Sequence, residues 1–148
     1  MKYLNCFESY KITNIDKRGD TDLFYFSTPE NNYMVKITPY QGRDNFYGVG
    51  FGVIKDKQLG YDTGIVVNEK PFELMDTIFI ILKDFIYKLR NNEYVKKYNL
   101  DVIDGFIFSF TGDKEKNKQR LKLYKRTLNK HLPDANLELK NGIYYIIL

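Results

Sequence analysis

Tryptophan is absent from this chain, and cysteine and histidine occur once each, as Cys6 and His131. A single cysteine cannot form an internal disulfide or a multi-cysteine zinc site, and a single histidine removes the common His-based metal clusters and histidine relays. No metal and no resident cofactor are therefore expected. Long apolar runs are missing too. The longest, Ile78 to Leu82, is far short of a membrane span, and the opening MKYLNCFESY has no apolar stretch of signal-peptide length. The expectation is a soluble, cytoplasmic protein with no membrane partner. Nor do the residues show a nucleophile beside a base or paired catalytic carboxylates. Asp62, Glu69, Glu73 and Asp76 fall near the start of a predicted helix and complement its positive end, while Asp101 and Asp104 read as turn residues.

Aromatic residues are abundant instead. Thirteen Tyr and eleven Phe in 148 residues favour pleated, half-buried surfaces, so a substantial sheet is expected. The length suits one core and is too short for two ordinary domains, so residues 1–148 read as a single α+β domain.

The first half reads as an antiparallel meander. Strands are expected at Ser9 to Asn14, Leu23 to Thr28, Tyr33 to Thr38 and Phe46 to Ile54. Turns fall at Asp16-Lys17-Arg18-Gly19-Asp20, Pro29 to Asn32 and Gln41 to Asn45. The fourth strand puts Tyr47, Val49, Phe51 and Val53 on one face and Gly48, Gly50 and Gly52 on the other. Alternate glycines mark a close approach, either of a helix packing across the bare face or of a ligand lying on it. Residues 55–70 read as a polar crossover with a short strand at Ile65 to Val67. Pro71 then opens a central helix over about 71–90, whose apolar positions cover more than half its circumference. Residues 91–99 are a second short helix or an irregular excursion. Val102 to Phe110 is read as a buried strand, parallel to a neighbour because a helical crossover precedes it. A basic helix follows over about 113–132, with Asp113 as its cap, Leu121, Tyr124, Leu128 and His131 or Leu132 as its buried stripe, and Pro133 just past its end. Asn141-Gly142 closes a hairpin between Leu137–Lys140 and Ile143–Ile147.

The basic helix concentrates the charge. Lys114, Lys118, Lys122, Arg126 and Lys130 repeat every four residues, and Lys116, Arg120 and Lys125 add to them. Eight cations and Glu115 give this segment +7, so the rest of the chain, within a total of +4, sums to −3. Each like-charged i,i+4 pair costs about 0.2–0.5 kcal/mol, so the ridge forfeits roughly 1–2 kcal/mol of helix stability. Two readings are open: a solvated, solubilising face, or a binding face for an anionic partner. The second assigns Lys114, Lys118, Arg120, Lys122, Lys125, Arg126 and Lys130 to an acidic protein surface or to nucleic-acid phosphates. A row dominated by lysine supplies point charges more than planar bidentate contacts, so base readout is not expected.

The order meander, helix, strand, helix, hairpin resembles the core of the GNAT acyltransferases over about residues 20–148. The most similar part is Gly105-Phe-Ile-Phe-Ser-Phe110 followed by a helix with Leu121-Lys-Leu-Tyr124. The resemblance implies acetyl-coenzyme A as cofactor and Tyr124 as general acid toward the departing thiolate. The family's pyrophosphate loop has no counterpart: Gln58-Leu59-Gly60-Tyr61-Asp62-Thr63 puts Tyr61 and Thr63 where glycine or alanine is needed. Thr77-Ile78 and Arg120-Leu-Lys-Leu-Tyr124 are also similar to small phage and Bacteroidota proteins to which no activity is attached. The leading expectation is a non-enzymatic binding protein, a phage or mobile-element accessory factor engaging its partner through residues 114–130. A divergent acyltransferase is the alternative.

Overall fold

A computed structural model describes residues 10–54, 61–62, 71–109 and 114–148. Its elements are β1 (Ile12–Arg18), β2 (Thr21–Ser27), β3 (Asn32–Pro39), β4 (Phe46–Ile54), β5 (Tyr61–Asp62), α1 (Pro71–Arg90), α2 (Glu93–Tyr98), β6 (Gly105–Ser109), α3 (Lys114–His131), β7 (Asn136–Lys140) and β8 (Ile143–Ile147). Seven strands form one path, β1-β2-β3-β4-β6-β8-β7, and β5 pairs with β4. Among the described residues every pairing is antiparallel except β4 with β6, which runs parallel from Phe46↔Gly105 to Val49↔Phe108. The expected α+β class and mostly antiparallel sheet are observed.

Turn chemistry fixes the two terminal hairpins. Gly19, at φ 61°, takes the first central position of the β1–β2 turn, where Arg18 pairs with Thr21. Asn141 and Gly142, at φ 52° and 77°, make the two-residue turn between β7 and β8. The first strand departs from the expected Ser9 to Asn14. It runs on through Asp16, Lys17 and Arg18, which were assigned to the turn, because backbone pairing with β2 holds an edge strand whose side chains are almost all exposed. Such a strand has no apolar alternation to betray it.

α1 spans the expected 71–90, with Leu74, Met75, Ile78, Phe79, Ile81, Leu82, Phe85 and Ile86 buried. It packs on the face that carries Phe24, Phe26, Val35, Ile37, Val49, Phe106, Phe108, Tyr144 and Ile146. The Phe85 ring meets Tyr47 edge-on at 5.0 Å. The helix therefore covers the Tyr47 side of β4 and not the glycine side, which corrects the expectation of a helix across the bare face. At Gly48 an added Cβ would find only the Thr38 carbonyl oxygen, at 3.7 Å. The tighter glycine is Gly105, where a Cβ would overlap the Ile146 carbonyl oxygen and lie 2.5 Å from the Phe46 ring.

Residues 91–99 resolve as α2, capped by Asn92, whose side chain accepts from Tyr94 N–H, and by Asn99 in the left-handed region. β6 starts at Gly105 and not at the expected Val102, since Asp104 N–H donates to Asn45 O instead of joining the ladder; Phe110, the expected end, lies outside the described residues. The strand expected at Ile65 to Val67, the Asp113 cap and the 58–63 loop apart from Tyr61 and Asp62 lie outside the described residues.

Candidate binding face on the basic helix

α3 buries Tyr124, Thr127 and Leu128, with Leu121 partly buried and the His131 side chain about nine-tenths buried beside them. Thr127 was not expected in the stripe. Its hydroxyl donates to Leu123 O at 2.8 Å, which satisfies it inside the helix. Tyr124 is 4% exposed, stacked on Phe108 at 5.8 Å and set edge-on to Tyr144 at 5.5 Å.

The cationic row is not straight. A four-residue step overshoots one 3.6-residue turn, so the row drifts about 40° per step around the helix axis. Lys122 and Lys125 consequently face solvent, while Arg126 and Lys130 swing toward α1. The guanidinium of Arg126 lies 4.4 Å from the centre of the Phe72 ring. Lys130 Nζ donates to Asp76 Oδ2 at 3.0 Å, and His131 Nε2 meets Asp76 Oδ1 at 2.6 Å. His131 also stacks on Phe79 at 6.2 Å. The contacts Phe72–Arg126, Asp76–Lys130 and Phe79–His131 advance together along both helices, so α1 and α3 run side by side in the same direction.

The predicted cations thus divide. Lys122 and Lys125 are exposed and make no ion pair among the described residues, Arg126 is exposed but stacked, and Lys130 holds an internal carboxylate. The side chains of Lys114, Lys118 and Arg120 lie outside the described residues. Asp76 is the residue that sequence reasoning undervalued as a mere dipole complement: it is buried and ties α1 to α3. The available signal was its place between Met75 and Thr77 on a helix that is apolar around most of its surface. A carboxylate buried there needs cationic or N–H partners.

Among the described residues two titrations are displaced elsewhere. Burial, with Asp22 nearby, raises Tyr47, and a hydrogen bond with Asp104 raises the exposed Asp101. Among the described residues no group of three or more His, Cys, Asp or Glu side chains could hold a metal ion, and no helix is long and apolar enough to cross a membrane. No protein-family model matches the chain, and no curated protein matches it at a significant level.

Proposed function

We propose that this chain is a non-enzymatic binding protein, an accessory factor whose α3 engages an acidic protein surface or nucleic-acid phosphates. The observation that carries the reading is the pair Lys122 and Lys125, exposed on one helix and without carboxylate partners among the described residues. Their charge is free to meet a partner, and the −3 remainder of the chain keeps the positive field local to this helix. Lys114 and Lys118 would extend the same face. Fluorescence anisotropy with a labelled Glu/Asp-rich peptide and a labelled single-stranded oligonucleotide tests it. The native chain should bind one of them with an affinity that falls with salt, and Lys122→Gln with Lys125→Gln should weaken binding and flatten that slope. Equal binding by the double variant, or no binding to either probe at low salt, would overturn the reading.

A divergent acyltransferase is the second reading. The parallel β4–β6 pair, set in a strand order with a helix after each of its strands, favours a GNAT-like topology. Two observations weigh against catalysis by that route. Tyr124, the proposed acid, is buried among aromatic rings. β5 also pairs with β4 at Val53 and Ile54; β3 pairs with Val53 too, so β5 takes the β4 edge that lies beyond the end of β6. Acetyl-coenzyme A at a hundred times its dissociation constant would stabilise a binding protein by about 2.7 kcal/mol, so a thermal melt separates the two readings.

A further inference from the structure

The drifting end of the basic row frames a cavity of about 200 Å³ between α1 and α3, lined by Phe72, Glu73, Asp76, Arg126, Thr127 and Lys130. Asp76 is already engaged through both oxygens, by His131 and Lys130. Thr127 is engaged by Leu123 O. Two charged groups remain without an ion-pair partner among the described residues: the Arg126 guanidinium and the Glu73 carboxylate. The Arg126 guanidinium carbon lies over the Phe72 ring at 4.4 Å, and its N–H donors make no hydrogen bond or ion pair among the described residues, so they are available to a planar, bidentate acceptor.

We propose that this cavity binds a small zwitterion of the α-amino acid class, with its carboxylate on the Arg126 fork and its ammonium on Glu73. The charges decide the class. Arg126 and Lys130 are balanced by Glu73 and Asp76, so a neutral molecule with two opposite poles fits better than a net anion or a net cation. A phosphate or phosphodiester only accepts hydrogen bonds and leaves Glu73 without a donor; a simple amine leaves Arg126 without an acceptor. Size agrees. At about 200 Å³ the cavity has room for a small amino acid. The Asp76 contacts to His131 and Lys130 tie the two walls together before any ligand arrives, which lowers the ordering cost of binding.

The test is a ¹H–¹⁵N NMR titration of the full chain with a panel of free amino acids, against acetate, methylammonium and inorganic phosphate as single-pole probes. A zwitterion should bind saturably and perturb amides around Glu73, Asp76, Arg126 and Thr127, while each single-pole probe binds at least about tenfold more weakly. Arg126→Lys keeps the charge but loses the fork, and should weaken the amino acid by about tenfold or more. Glu73→Gln should weaken the amino acid while acetate binds as well as before or more tightly. Both positions are solvent-accessible, so unchanged melting curves confirm folding of the variants. Acetate or phosphate binding as tightly as every amino acid, an unaltered Glu73→Gln titration, or no saturable response to any zwitterion would overturn the proposal. Lys122 and Lys125 do not line the cavity, so their double variant should titrate like the native chain, which keeps this site separable from the proposed binding face.

Discussion

Asp76 and His131 meet through a 2.6 Å hydrogen bond across the α1–α3 contact, with both side chains about nine-tenths buried. The other Asp76 oxygen takes Lys130, which is 43% exposed. The two partners are therefore unequal. Removing the carboxylate by Asp76→Ala strands a buried imidazole and should cost about 1.5–3 kcal/mol, the range for hydrogen bonds to charged groups. Lys130→Met gives up a partly solvated ion pair and should cost less than about 1 kcal/mol. Urea denaturation of the two variants checks the ordering. A larger loss from Lys130→Met would mean that the lysine, and not the histidine, anchors α3.

In the core, Ile78 and Leu82 have no exposure and Phe85 has 6%. Leu82→Ala should cost about 2–5 kcal/mol, a large part of the stability of an ordinary domain. A loss below about 0.5 kcal/mol in chemical denaturation would contradict the face that α1 is seen to bury.

Most of this architecture was legible because it is written in periodicity and turn residues. Pro71 and the apolar positions of α1 marked one helix, and Asn141-Gly142 marked the last hairpin. What escaped lay where local pattern carries no information. The end of β1, Asp16 to Arg18, is polar on both faces and is held by its ladder to β2, so it looked like loop. The glycines of β4 announced a close approach without saying from which side. The charge row was seen as one ridge, yet the 40° drift that brings Arg126 and Lys130 onto α1 follows only when the helix is built and its neighbour is in place. Asp76 had the same difficulty, since its partners lie 54 and 55 positions away.

Gly105 is the place where a single methyl should matter most. Its Cβ would overlap a backbone oxygen, that of Ile146, and crowd the Phe46 ring, and backbone cannot move aside as a flexible side chain can. Gly105→Ala should cost about 1–3 kcal/mol or more, and Gly48→Ala, with only an ordinary 3.7 Å contact, much less. Melting temperatures of the two variants give the comparison.

The Asp101–Asp104 pair should leave a mark on acid stability. Their hydrogen bond needs one proton, which raises Asp101, while Arg90 pulls the other way. A raised carboxyl contributes stability that is fully present below its unfolded value and is lost as pH rises through the folded value. Asp101→Asn keeps a donor for Asp104 at every pH, so it should melt closer to the native chain in acid and above it near neutrality. The shift should be small, because Asp101 is exposed and solvent screens the pair. An unchanged difference between the two proteins across that range would remove the pair from the pH response.

The last prediction separates the structural end of the basic row from its free end. Lys122 is exposed and has cations four residues away on either side, Lys118 and Arg126, so Lys122→Gln relieves like-charge repulsion while keeping a good helix former. Stability should rise slightly or stay level. Arg126→Gln relieves repulsion from Lys122 and Lys130 but also gives up the stack on Phe72, worth about 0.5–1 kcal/mol at an exposed site. The two terms nearly cancel, so the single variant says little, and a double-mutant cycle with Phe72→Leu is the informative measurement. Coupling between positions 72 and 126 should be about 0.5–1 kcal/mol, and coupling between 72 and 122 should be close to zero. If the two couplings came out equal, Arg126 would belong with Lys122 on the solvent face, and the division of the ridge into a docking end and a binding end would fall.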